Sequence, residues 1–107
     1  MSMITSGKGR CRVWLKTEQI GEDLLYILGG GEKPHIGAMV IREPGKDGQT
    51  IILGTHRDHE VLEPLAEKAC EKYCVTAVAV GGIHIDNASH EEIEIIIQNC
   101  RELIKCI

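Results

Sequence analysis

The residues of this chain best suited to hold a ligand are histidines that follow glycine-ended apolar runs. Leu24-Leu25-Tyr26-Ile27-Leu28 runs into Gly29-Gly30-Gly31-Glu32-Lys33-Pro34-His35-Ile36-Gly37. Val75-Thr76-Ala77-Val78-Ala79-Val80 runs into Gly81-Gly82-Ile83-His84-Ile85-Asp86-Asn87. Five of the chain's 12 glycines are Gly29, Gly30, Gly31, Gly81 and Gly82. Glycine takes positive φ and allows close backbone approach, and strand ends are where such folds place their sites.

Each corner has its own chemistry. At the first, consecutive glycine N–H groups can form an anion-binding concavity, with Lys33 adding charge and His35 a proton or hydrogen bond. It is not a P-loop, because the Gly-Lys-Ser/Thr ending is absent, and no G-x-G-x-x-G helix follows. The plain alternative is a glycine-rich hairpin whose His35 satisfies a buried carbonyl. At the second, an extended backbone puts His84 and Asp86 on one side, where Asp86 can orient the imidazole. Alternatively, Asp86 and Asn87 only cap a helix.

A third cluster is His56-Arg57-Asp58-His59-Glu60. His56 and His59 are spaced to share a metal with Asp58 or Glu60 as a further ligand. Arg57 beside a helix N-terminus suits a phosphate. A solvated helix start is the other reading, with Asp58 or Thr55 as its cap. No H-E-x-x-H or G-x-S-x-G pattern occurs. A Cys–His pair is left open, but every cysteine except Cys11 lies on or beside a helix pattern. The chain therefore reads as a non-enzyme, with metal-dependent activity through His56, His59 and Glu60 as the competing idea.

Composition narrows the classes. With 107 residues the chain has room for one domain, 1–107. It has no Phe, one Trp and two Tyr, so its core must be Ile, Leu, Val and Ala. Scarce aromatics and a net charge of −4 argue against nucleic-acid binding. No apolar run reaches membrane-spanning length, and Met1 to Gly7 lacks a signal core, so a cytoplasmic location is expected. The five cysteines, Cys11, Cys70, Cys74, Cys100 and Cys106, read as free thiols. Cys70 and Cys74, four apart on a helix, are a conceivable metal pair.

The elements that must position these groups follow from periodicity. Alternation over Gly9 to Gln19 predicts a first strand, and Asp23 to Gly29 a second, apolar on both faces and hence central. Ile36 to Arg42 and Gln49 to Leu53 flank a turn at Glu43 to Gly48. These four predict an antiparallel meander. Helical spacing runs through Tyr73, with Pro64 early in the helix; Cys74 to Val80 is a fifth strand. Ser89 and Glu92 form a capping box for a helix reaching about Cys106, burying Ile93, Ile96, Ile97, Cys100, Leu103, Ile104 and Ile107. The expected fold is α+β: a two-layer sandwich, ββββαβα, with a five-stranded, mostly antiparallel sheet and two helices on one face. The fourth strand, first helix and fifth strand are expected to form a parallel crossover. If the two strands are neighbours, His56 and His84 face one pocket. The helix-free sheet face, and Ile95 off the second helix's stripe, make a homodimer plausible.

The two corner motifs, with Gly7-Lys8-Gly9-Arg10, resemble the small LpdD-like proteins, the subunit associated with UbiD-type aromatic acid decarboxylases such as gallate decarboxylase. The resemblance spans Gly7 to about Leu103. It implies a fold similar to the proteasome assembly chaperones. It also implies a non-catalytic accessory role: binding prenylated flavin mononucleotide and delivering it to the decarboxylase's catalytic subunit. Whether a metal accompanies that ligand is open. Local chemistry offers Gly29, Gly30, Gly31, Lys33, His35, His56, Arg57, Gly81, Gly82, His84 and Asp86 as the contacts. The alternative is an assembly chaperone or structural subunit without a small-molecule ligand.

Overall fold

The computed structural model describes residues 2–107. Its elements are β1 (Ser2–Ser6), a 3-10 turn (Gly9–Cys11), β2 (Val13–Ile20), β3 (Asp23–Gly31), β4 (Ala38–Arg42), β5 (Gln49–Ile52), α1 (His59–Tyr73), β6 (Ala77–His84) and α2 (His90–Lys105). The architecture is α+β, with two helices and one open sheet of six strands in the order β1-β2-β3-β6-β4-β5.

Several expectations need correction. The sheet has six strands rather than five, because Ser2–Ser6 pairs antiparallel with β2. A short, largely exposed strand with two polar ends carries almost no periodic signal. The meander is also broken. β6 enters between β3 and β4, parallel to the first and antiparallel to the second, so the sheet is mixed. β5 and β6 run the same way but are not neighbours, since β4 lies between them. The expected first strand begins later, because Gly9–Cys11 forms a 3-10 turn.

Alternation explains the layers. Val13 and Leu15, Tyr26 and Leu28, Ala77 and Ala79, and Ala38 and Val40 are buried beneath the helices. From α1 come Leu62, Leu65, Ala66 and Ala69; from α2 come Cys100 and Leu103. Alanines at 77 and 79 let α1 lie close to the sheet centre, replacing the bulk that Phe would supply elsewhere. On α2, Ile96 and Ile104 pack against this core, but Ile93 stays 45% exposed, contrary to the expected stripe. The α2 start is built as expected: Ser89 Oγ accepts the Glu92 N–H at 3.1 Å, and Glu92 Oε1 accepts the Ser89 N–H at 3.1 Å. The bond from the Ser89 backbone N–H, and next the hydrogen bond from Arg10, hold the Glu92 carboxyl below its usual range.

Cys11, Cys70 and Cys100 are buried and Cys74 and Cys106 exposed, all as free thiols. Burial pushes Cys100 up to about 12, so it is not a thiolate at neutral pH. Cys74 ends α1 in the left-handed conformation, φ 53°.

Candidate functional site

The topology brings three segments to one edge. β3 and β6 are parallel, and β5 shares their direction through β4, so all three end together. The Gly29–Gly31 end of β3, the His84 end of β6 and the His56–Asp58 segment after β5 converge there.

The glycine run is part of β3, not a loop. Gly29 and Gly30 lie in the ladder opposite Trp14 and Val13 on one side and Gly82 and Ile83 on the other. Gly31 donates its N–H to the Arg12 carbonyl at 2.9 Å. What these glycines provide is closeness. A Cβ on Gly29 would overlap the Trp14 ring. Beyond them the chain turns over the end of β6: the N–H groups of Glu32 and Lys33 both donate to the His84 carbonyl, and the Gly37 N–H to Gly81. That path carries Pro34 and His35 back across the sheet end.

A cavity of about 310 Å³ opens there. Trp14, Ile27, Pro34, His35, Ile36 and Val80 line it, with Gly29 and Gly81 in its floor. Trp14, Ile27 and Val80 belong to the helix-free side of the sheet, as their alternation with buried neighbours shows. The size and apolar walls suit one flat ring system. Trp14 was not among the residues singled out from the sequence; a lone aromatic in an alternating strand gives no sign that it roofs a cavity.

Asp58 organises the polar end, and it too carried only a general signal. It precedes α1, but its side chain makes no capping bond to that helix. Instead Oδ1 accepts the Ile83 N–H at 3.0 Å, and Oδ2 lies 3.1 Å from His35 Nε2. Asp58 thus satisfies the β6 backbone just past the last β4 pairing. Gly82 permits this: a Cβ there would approach both Asp58 Oδ2 and His35 Nε2 within 3.0 Å. His56 is exposed, and its ring centroid lies 4.6 Å from that of His35; the His84 centroid lies 6.3 Å from His35.

The second corner is closed on itself. His84 Nε2 is 3.0 Å from Asp86 Oδ1, and Lys33 Nζ is 3.1 Å from Asp86 Oδ2. Hydrogen bonds from His84 and then Lys33 hold the Asp86 carboxyl below its usual range. Arg10 ties this corner to α2, donating to the Asp86 carbonyl at 2.7 Å and to Glu92 at 2.8 Å. Arg57 stands apart from the cavity lining; its guanidinium pairs with Glu60 at 2.7 Å and is largely exposed. Among the described residues, His56 and His59 do not come together with Asp58 or Glu60 as a three-ligand set. The cluster of metal-ligating atoms is His35, His56 and Asp58 instead. Among the described residues, no helix is long and apolar enough to cross a membrane.

Comparison with known proteins gives the fold a precedent. A chain from a chaperone complex for yeast 20S proteasome assembly superposes with a TM-score of 0.56, covering 98% of this chain and 95% of that one, at 10% identity. That likeness concerns the fold alone. No curated protein matches the sequence. The family model of the prenylated flavin chaperone LpdD-like domain does match, over residues 7–107, and the chain belongs to that family.

Proposed function

We propose that this protein is a non-catalytic maturation factor that holds prenylated flavin mononucleotide and passes it to a UbiD-type decarboxylase. The observation that carries this reading is the apolar cavity under Trp14, with His35 at its rim, in a member of a prenylated flavin chaperone family. The flavin ring would lie against Trp14 and Pro34. His35 would lie against its edge, and the exposed His56 beside it, with Lys33 drawn from its pair with Asp86, would supply groups for the phosphate; Arg57, paired with Glu60 away from the cavity, takes no part. An apolar cleft at the open end of the sheet suits a carrier, which must release its cargo.

Trp14 is the chain's single tryptophan, so its fluorescence reports the cavity directly. Anaerobic titration with prenylated and ordinary flavin mononucleotide should quench it in a saturable way, with stronger binding of the prenylated form. His35→Ala should weaken binding about 10-fold, because the ring forms part of the cavity wall. No quenching and no change in flavin absorbance with either ligand, at micromolar protein, would overturn the reading.

The helix-free sheet face supports a second part of the proposal, a homodimer. Ile27, Val80, Met39 and Ile51 stand in register across four strands on that face. Met39 and Ile51 are 36% and 48% exposed. Lys16 and Glu18 alternate on the same side of β2, so a two-fold copy can set one against the other. This face is continuous with the cavity through Ile27 and Val80. Sedimentation velocity should find a dimer, and Ile51→Glu should give a folded monomer. A wild-type monomer at micromolar concentration would refute it. An assembly-chaperone role without a small ligand is the second reading, favoured by the likeness in fold to the yeast complex. Failure of the titration together with a stable complex with a large partner would support it.

A further inference from the structure

We infer that His35, His56 and Asp58 form a binding site for a divalent transition-metal ion. One ligand atom from each lies within 4.8 Å of the others. The set, two imidazoles and one carboxylate, suits borderline first-row ions such as Fe²⁺, Co²⁺ or Zn²⁺.

The hydrogen bonds around His35 carry the argument. Its Nδ1 lies 3.2 Å from the Lys33 carbonyl, which can only accept, so Nδ1 is the protonated nitrogen facing it. Nε2 then faces Asp58 Oδ2 at 3.1 Å. Two lone pairs at that distance require something positive between them, a proton or a metal ion. The separation suits a metal: ligands ~2.1 Å from an ion at right angles, as in octahedral coordination, lie about 3.0 Å apart. The surroundings match those of metal ligands as well. The Lys33 carbonyl fixes the His35 tautomer, and the Ile83 N–H at 3.0 Å orients the Asp58 carboxylate. His56 sits on the exposed side with its ring centroid 4.6 Å from His35, free to swing in as the third ligand. Three protein ligands leave coordination positions for water or an anionic oxygen.

The site shares His35 and His56 with the proposed flavin contacts, and it is tested without flavin, so that its failure and the failure of flavin binding are distinguishable. Untagged protein is titrated with Co²⁺ under anaerobic conditions and followed by its visible d–d absorption and by calorimetry. One Co²⁺ should bind per chain. His56→Ala alters only an exposed side chain and should weaken binding at least ~10-fold. His90→Ala, which removes the exposed partner of Glu94 on α2, should change nothing. The proposal fails if no stoichiometric Co²⁺ binding is seen. It also fails if both His56→Ala and His35→Ala bind Co²⁺ as the wild type does.

Discussion

Gly81→Ala should unfold most of what this protein can spare. Gly81 has φ +137°, a conformation that a side chain tolerates poorly. It also lies opposite Leu28 in the parallel β3–β6 ladder. A Cβ there would overlap the Leu28 carbonyl oxygen, which is backbone and cannot rotate away. Relief requires β3 and β6 to part at the centre of the sheet, next to the cavity. The combined cost is about 3 kcal/mol or more, out of the ~5–15 kcal/mol that holds a domain of this size. The thermal midpoint should fall on the order of 15 °C. Gly45→Ala is the control. Gly45 also has positive φ, at +70°, but nothing lies within 4 Å of its Cβ position. It should cost only about 1 kcal/mol. Equal losses in the two variants, measured by chemical denaturation, would show that the overlap at Gly81 is not what matters.

That contrast also explains what could be read from the chain. The second strand's double apolar character marked it as central, and β3 does lie between two neighbours. But an all-apolar strand says only that it is covered on both sides and has two partners. It does not say which strands they are. The pairing of Leu24–Gly31 with Ala77–His84 spans more than fifty residues of chain and rests on shape, above all on glycines at 29, 30, 81 and 82 that let backbones and Trp14 close in. Those glycines were visible, but as strand ends; in the folded chain they lie inside the ladder, because removing the side chain was needed within the sheet and not after it. The capping box was readable because both its partners are three residues apart. Asp58 was not, because its two partners, His35 and Ile83, lie 23 and 25 residues away. A helix-start aspartate has an ordinary local explanation, and nothing nearby in the chain announces that its carboxylate has turned to another strand. The convergence of His35, His56 and His84 likewise depended on strand direction, which β4 settles by running antiparallel to both β5 and β6.

Asp58→Ala and Asp58→Asn should therefore part company. The alanine removes the acceptor of the part-buried Ile83 N–H and leaves His35 without its partner. An amide stranded in this way costs about 1–3 kcal/mol. The helix start itself survives, since it is the Asp58 backbone carbonyl that takes the Val61 and Leu62 N–H groups. Asparagine keeps an oxygen for Ile83 and places its NH₂ toward His35 Nε2, which is free to accept because Nδ1 donates to Lys33. Stability should then drop by less than about 1 kcal/mol, while nothing positive is needed between residues 35 and 58 any longer. Asp58→Asn should consequently fold normally and bind Co²⁺ at least ~10-fold more weakly. Equal destabilisation by both substitutions would mean that the charge of Asp58, and not its hydrogen bond to Ile83, holds this edge of the sheet together.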